Sequence, residues 1–445
     1  MKNLILTLII TLPLTLLGQG WEQVYNDTTR VGISVEQTTD NGYIICGYEN
    51  NNPIYPDNTI LLKTDINGDT IWTKVFNKGE CTCVKQTNDD GYILSTRWGI
   101  WSGVIKTDSN GDTTWTKNIT YGFLESIKQT SDGGYILCGY ENPNLTNGPG
   151  AIFLLKIDEN GNEDWIRTFY DQFGNNDNKG YCVEQTNDGG YVICGSPGGT
   201  LGGGSLIIKT NNLGILQWTE LHTNSNLDVD GYTPCIKQTS DGGYVTVSVG
   251  YSNLGCGSEE AIILRKLNSS GTQEWSNIFY GISMSYPYSV KQTNDDGYII
   301  CGITEDWTGF SNTADDVYGY VIKTDSNGDE EWSNIFQGIP GYSNSLAFSR
   351  VFTDVEETSD GSFILTGADY GDGWVFGSTD ISYIILTKLN SQGNITSTIE
   401  IPLPNSNRKL EKTLDILGKE TKPQPNTPII EIYDDGSVEK KVIIE

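Results

Sequence analysis

Histidine is almost missing from this chain, with His222 the only one among 445 residues. A single imidazole with no G-x-S-x-G elbow and no metal-spaced partners argues against Ser-His-Asp hydrolysis and against a zinc centre. Basic residues are scarce too: 28 Lys and Arg face 57 Asp and Glu, for a net charge of −29. Setting aside Lys2, and the seven basic and eight acidic residues after Ile401, leaves 20 basic against 49 acidic, so the acidity belongs to the body of the chain. Such a field repels nucleic acid and anionic lipid, and it favours cations, basic partners or neutral polar ligands. Long apolar runs are confined to the first residues. Lys2, an apolar stretch from 4 to 17 and the small Gly18 have the pattern of a secretory signal over residues 1–18, so the mature chain is expected to begin near Gln19. No later run approaches bilayer length, and no integral membrane segment is expected.

Cysteine is neither absent nor arranged as a disulfide framework. Nine is an odd number, and the positions follow a repeat: Cys46, Cys138, Cys194 and Cys301 share one place, and Cys83, Cys182 and Cys235 another. If the two strands of a unit turn at Asp-Gly, Cys182 falls opposite Gly195 and Cys194 opposite Val183, on different faces. Small buried thiols filling inter-unit space are therefore expected. A bond between neighbouring units, such as Cys182 with Cys235, is the alternative.

What the chain has in abundance is self-similarity. Residues 126–169 hold four short β segments, SIKQT, YILCG, IFLLKID and WIRTF, rich in β-branched, aromatic or alternating apolar residues. Short Asp-Gly and Asn-Gly turns join the first two and the last two, and a longer Asn/Gly/Pro loop joins the middle pair. The Gln of SIKQT recurs as Gln37, Gln86, Gln129, Gln185, Gln238, Gln292 and, altered, Glu357, about 53 residues apart. A Lys before the last turn (Lys63, Lys106, Lys156, Lys209, Lys266, Lys323, Lys388) and a Gly within it (Gly68 through Gly393) hold the same register.

Four-stranded units of this period cannot bury both faces alone, and a radial ring is the known solution. The fold expected is all-β: a seven-bladed β-propeller of four-stranded antiparallel blades over residues 19–401. The last strand of each unit carries a Trp at 72, 115, 165, 218, 275 and 332, but Ser397 in the seventh. The segment Trp21-Glu22-Gln23-Val24-Tyr25 matches Trp72-Thr73-Lys74-Val75-Phe76, so it is expected to supply the missing outer strand and close the ring.

Short turns on one end of such a ring leave the longer loops on the other, where a scaffold presents its variable surface. Those loops are rich in aromatics, Asn, Asp and Gly, among them Tyr55, Trp98, Trp101, Trp307, Phe310 and Trp374. Flat rings stack on sugar faces while amides and carboxylates bond hydroxyls, so these six are candidate ligand-binding residues. The competing reading is that long loops need small hydrophobic clusters of their own to stay ordered. The last turn often reads Asp-x-Asn-Gly-Asp, at Asp65, Asn67, Asp69; Asp108, Asn110, Asp112; and Asp325, Asn327, Asp329. That spacing resembles the opening of a calcium loop, but no glutamate follows at the twelfth position, and NNLGI, NSSGT and NSQGN replace it elsewhere. Turn chemistry is the expected role, with no cofactor. The repeated Lys is expected to lay its stem on apolar surface and bond a turn carboxylate.

After Ile401 the repeat stops. Residues 402–413 read as a linker, and 414–445 as a small module: Leu414-Asp415-Ile416-Leu417-Gly418-Lys419-Glu420, a Pro-rich stretch, then a hairpin about Asp435-Gly436 ending Glu439-Lys440-Lys441-Val442-Ile443. About 35 residues here resemble the C-terminal sorting domain of proteins exported by the type IX secretion system of Bacteroidetes, although Glu431-Ile432-Tyr433 stands where a Gly-x-Tyr is usual. The blades are similar to the QTSDGGY…LLKTDxNGDxxW repeats found in such proteins. The resemblance implies the type IX machinery as a partner, removal of the tail, and a propeller secreted or attached to the cell surface. The function expected is non-catalytic binding of glycans or proteins by a monomer through its variable-loop face. A polysaccharide-acting enzyme with carboxylates near the ring axis, and a structural or adhesion component, are the alternatives.

Overall fold

The computed structural model describes residues 20–25, 30–49, 58–99, 101–141, 150–170, 178–197, 204–222, 234–252, 259–306, 317–338, 349–370, 382–395, 410–415, 428–433 and 438–442. They form two compact units, Met1–Ile395 and Thr396–Glu445. The first is a ring of seven four-stranded antiparallel sheets, spanning residues 30–76, 80–119, 122–169, 179–222, 235–279, 284–336 and 349–389. In blades 1 to 6 the strands follow one another from the axis outward. Blade 7 has three of its own strands, and its outermost is Trp21–Tyr25, paired in register Trp21↔Lys388 to Tyr25↔Ile384. The ring is therefore closed by the start of the chain. No described helix is long and apolar enough to cross a membrane.

Three side-chain systems repeat around the ring. Each outer-strand Trp reaches the next blade, edge-on to its Tyr: Trp21 to Tyr43 at 5.9 Å between centroids, Trp72 to Tyr92 at 5.9 Å, and so on to Trp332 with Phe363. The turn glycine beneath is required twice over. At Gly68 φ is +82°, and a Cβ there would lie 2.6 Å from the Trp21 ring. The inner-strand Gln accepts a hydrogen bond from a turn amide of the preceding blade, as in Thr39 N–H to Gln86 at 2.9 Å and Asn88 N–H to Gln129 at 2.9 Å. Ser359 N–H to Gln37 at 2.8 Å completes that circuit across the closure. The repeated Lys is buried and pairs with the first-turn Asp in every blade, from Lys63–Asp40 at 2.9 Å to Lys388–Asp360 at 2.7 Å. It also caps the carbonyl of the residue that follows it, as Lys106 does for Thr107 at 2.8 Å.

The cysteines depart from the sequence reading in two ways. Cys182 lies directly opposite Cys194, not Gly195. The turn is not a two-residue Asp-Gly turn: Thr186 accepts from Gly189 N–H and donates to Gly190, with Gly189 at φ +78°. That is a type I turn followed by a left-handed glycine, which adds one residue and moves the register by one. Secondly, Cys46 and Cys81 form a disulfide between blades 1 and 2, with Cα atoms 6.0 Å apart. Cys182 and Cys235 are both buried thiols outside any disulfide, as are Cys83, Cys138, Cys194 and Cys301.

The second unit contains a three-stranded sheet, Leu410–Asp415, Pro428–Tyr433 and Val438–Val442, with Pro428–Tyr433 in the middle. The hairpin read from Asp435-Gly436 is its second half, and the first strand begins inside the stretch read as a linker.

Candidate functional site: the axial funnel

The inner strands converge on an axial cavity of about 450 Å³ lined by residues of all seven blades. Its lining is set by a backbone irregularity. In six blades the first strand carries a β-bulge at one repeat position, inserting Ile33, Thr82, Glu125, Tyr181, Tyr288 and Thr353 as the unpaired residue. Pro234 holds that place in blade 5. A bulge re-aims a side chain, and all seven of these residues line the cavity. The two positions that follow it hardly change, being Ser or Cys (Asp354 in blade 7) and then Val or Ile, whereas this one runs Ile, Thr, Glu, Tyr, Pro, Tyr, Thr and the residue before it varies as well. The step from variable residues to a constant Ser/Cys-Val/Ile pair along each inner strand was the sequence signal for the site, and loop aromatics alone do not reveal it.

The next residue along each inner strand is Ser, Cys or, in blade 7, Asp354. Cys83, Cys182 and Cys235 lie 3.6 Å from a carbonyl of the following blade. Two residues further on comes a charged tier: Glu36, Lys85, Lys128, Glu184, Lys237, Lys291 and Glu356. The carboxylates here cover inner-strand edges. Glu36 accepts from Gln86 N–H at 2.5 Å, Glu356 from Gln37 N–H at 3.1 Å, and Asp354 from Ser34, Val35 N–H, Ser289 and Val355 N–H at 2.8–3.2 Å. Burial opposes ionisation of Glu184, but Lys128 and Lys237 beside it hold its carboxyl below the ordinary range. Burial pushes the Lys128 ammonium below its ordinary value.

At the variable-loop mouth, Arg97 bridges Glu80 and Glu125, with Nη1 at 2.5 Å from Glu125. Burial lifts Glu125 to about 7 even though Arg97 opposes the shift. Tyr48, Tyr181, Tyr288 and Tyr370 stand around the same mouth, and burial pushes Tyr48 and Tyr181 up to about 12. The arrangement offers a polar, aromatic-rimmed cleft containing one carboxyl that exchanges its proton near neutrality.

Of the loop aromatics, Trp98 and Trp101 are described. They are directly paired across a tight turn in blade 2 and are about half exposed, at 49% and 53%. Directly opposed residues share a face, so the two indoles lie on one face of the blade, and Trp98 is next in sequence to the funnel residue Arg97. Tyr55, Trp307, Phe310 and Trp374 lie outside the described residues.

The acidic turns act as turns. Asp65 Oδ1 accepts from Asn67 N–H at 2.8 Å and Asp69 N–H at 2.9 Å, Asp108 from Asn110 and Asp112 at 2.9 Å, and Asp325 from Asn327 and Asp329 at 2.8 and 2.9 Å. Asn211, Asn268 and Asn390 make the same pair of bonds without a charge. Among the described residues no cluster of three or more His, Cys, Asp or Glu has metal-binding geometry. His222, far along the chain from any partner motif, is held down to about 4 by burial and by Arg265.

No family model matches the sequence, and no curated protein does. Solved structures match the ring. The WD40 repeats of RRP9 align with a TM-score of 0.50 at 9% identity, covering 83% of this chain and 99% of that one. A protein of unknown function from Bacteroides caccae aligns at TM-score 0.41 and 12% identity over 69% and 94%. The polysaccharide lyase Uly1 aligns at 0.47 and 10% over 81% and 90%. At such identities the likeness concerns the propeller fold alone.

Proposed function

We propose that the protein is an exported or cell-surface binding propeller that takes a glycan at the variable-loop mouth of the axial funnel, with the Trp98 and Trp101 pair as an adjoining contact. The observation that carries this reading is the bulge tier: a constant scaffold turns one variable side chain per blade into a single aromatic-rimmed cavity of about 450 Å³, within the roughly 300–1,000 Å³ typical of ligand pockets. Residues 1–18 as a signal, and residues 414–445 as a type IX sorting tail, would carry the ring out of the cell. A glycan array followed by calorimetry tests the binding claim. Retained signals in the wild type that drop about tenfold on Trp98→Ala with Trp101→Ala, or on Tyr288→Phe, are expected. A blank array would remove the reading and leave a structural or adhesion role.

A second reading has one specific support. Glu125, at about 7, is tuned as a general acid near neutral pH and sits with Glu80 on one guanidinium, which suits hydrolysis of a glycosidic bond. Release of reducing ends from polysaccharide, abolished by Glu125→Gln, would promote the enzyme; binding without release would discard it.

A further inference from the structure

We propose that the funnel selects an anionic sugar, its carboxylate or sulfate seated among the ammonium groups of Lys85, Lys128, Lys237 and Lys291. This rests on the glycan reading above and names the class of glycan. The body of the chain is strongly acidic, yet in this one cavity, whose lining acids are Glu80, Glu125 and Asp354, the cations prevail, with Arg97 and four lysines from blades 2, 3, 5 and 6. The lysines lie about 10 Å along the inner strands from the bulge tier, at three residues of extended chain.

Their hydrogen-bonding capacity is almost unused. Each ammonium carries three donors, but among the described residues only Lys237 donates a hydrogen bond, to Glu184. Lys128 sits 3.1 Å from the same Glu184 carboxylate, so one acid serves two lysines. Lys85 stands 3.6 Å from Glu36, whose other oxygen is taken by the Gln86 amide. Asp354, the acid beside Lys291, spends both oxygens on two serines and two backbone amides. Lys291 itself has no hydrogen bond or ion pair to a described residue.

The side chains of Lys85, Lys128 and Lys237 are 9–18% exposed, so the cavity is their route to a further acceptor. Inside it they meet a ligand at lower effective dielectric than on the surface. The negative outer wall is screened within about 8 Å at physiological salt. An oxygen-rich anion satisfies the idle donors, and a neutral sugar meets them with hydroxyls that gain less from charge assistance.

The test compares trigalacturonate, a sulfated chondroitin disaccharide and neutral galactotriose by calorimetry on the full chain. The acidic sugars are expected to bind at least about tenfold tighter than galactotriose, with affinity falling several-fold between roughly 50 and 500 mM NaCl. Lys291→Gln, chosen because Lys291 has no ion pair to a described residue, should lower acidic-sugar affinity by about tenfold and galactotriose affinity by no more than about twofold, in a variant that still melts cooperatively. Equal affinity for acidic and neutral sugars, or no effect of Lys291→Gln in a variant that melts normally, would overturn the anion inference while leaving glycan binding intact. Absence of binding to any of the three and to the array would overturn both. Tighter binding of chitosan oligomers than of trigalacturonate would reverse the sign of the assignment.

Discussion

The two ends of the same inner strands obey different rules. At the hairpin end every blade repeats one solution: a buried Lys on a turn Asp, and a Gln or Glu holding the amide of the blade before it. A few residues away, at the bulge, no two neighbouring blades carry the same side chain. The lesson is that the ring is held together where the copies agree and is specialised where they disagree. Residues that make the same bond in every blade cannot vary without their partners, whereas the bulge side chains that are bonded use partners that differ from blade to blade, as Glu125 does with Arg97 and Thr353 with the Gly32 carbonyl.

The largest test of that contrast is at the closure. Trp21 belongs to the outer strand of blade 7 but packs on Tyr43 and Gly68 of blade 1, and its neighbour Glu22 meets the buried Arg350 at 2.7 Å. Trp21→Ala is expected to cost about 3 kcal/mol, at the low end for a large aromatic because the ring is only half-buried, read as a drop in denaturation midpoint. An unchanged midpoint would mean that the seventh blade does not need the start of the chain.

A smaller effect separates the two tiers directly. Lys106→Met strands the Thr107 carbonyl and leaves Asp89 without its cation, a loss of about 2 kcal/mol from the buried carbonyl, since the Asp side is exposed and adds little. Ile33→Thr, at the bulge, should stay within about 0.5 kcal/mol. Similar costs at the two sites would mean that the hairpin end and the bulge contribute alike to the ring.

The smallest effect is in pH, where the ends should respond with opposite sign. Hydrogen bonds from Thr and Lys partners overcome burial to hold Asp188, Asp241 and Asp360 down to about 2. Their contribution is present above the ordinary carboxyl value and is lost as pH falls towards 2. Glu125 is raised to about 7 from 4.5, so its contribution is full below 4.5 and declines as pH rises through 7. Glu125→Gln should therefore flatten stability between pH 5 and 8 and leave the acid limb alone. A slope unchanged across pH 5–8 would show that Glu125 is ionised throughout.

Much of the ring could be read from residues. The Gln, Gly and Trp positions recur because each answers a contact that every blade boundary must make, the Lys recurs because it ties the two hairpin ends of its own blade together, and the displaced Trp21 strand followed from the one copy that lacked its Trp. The axial site was less legible. Loop aromatics drew attention to the outer rim, where Trp98 and Trp101 do share a face, while the bulge tier passed as ordinary strand because hydrophobic alternation does not register one extra residue. The same slip misplaced Cys182 against Cys194: Asp-Gly reads as a two-residue turn, and only the hydrogen bonds of Thr186 reveal the third.

Sequence alone determined the number of blades, their order and the strand that closes them, since periodic contacts leave periodic residues. The tertiary structure decided which side chains face one another across the axis: that four lysines from four separate blades share a cavity, that Arg97 joins Glu80 to Glu125, and that Cys46 rather than Cys182 is bonded. Those meetings depend on ring curvature and on a one-residue bulge, and neither leaves a period in the chain.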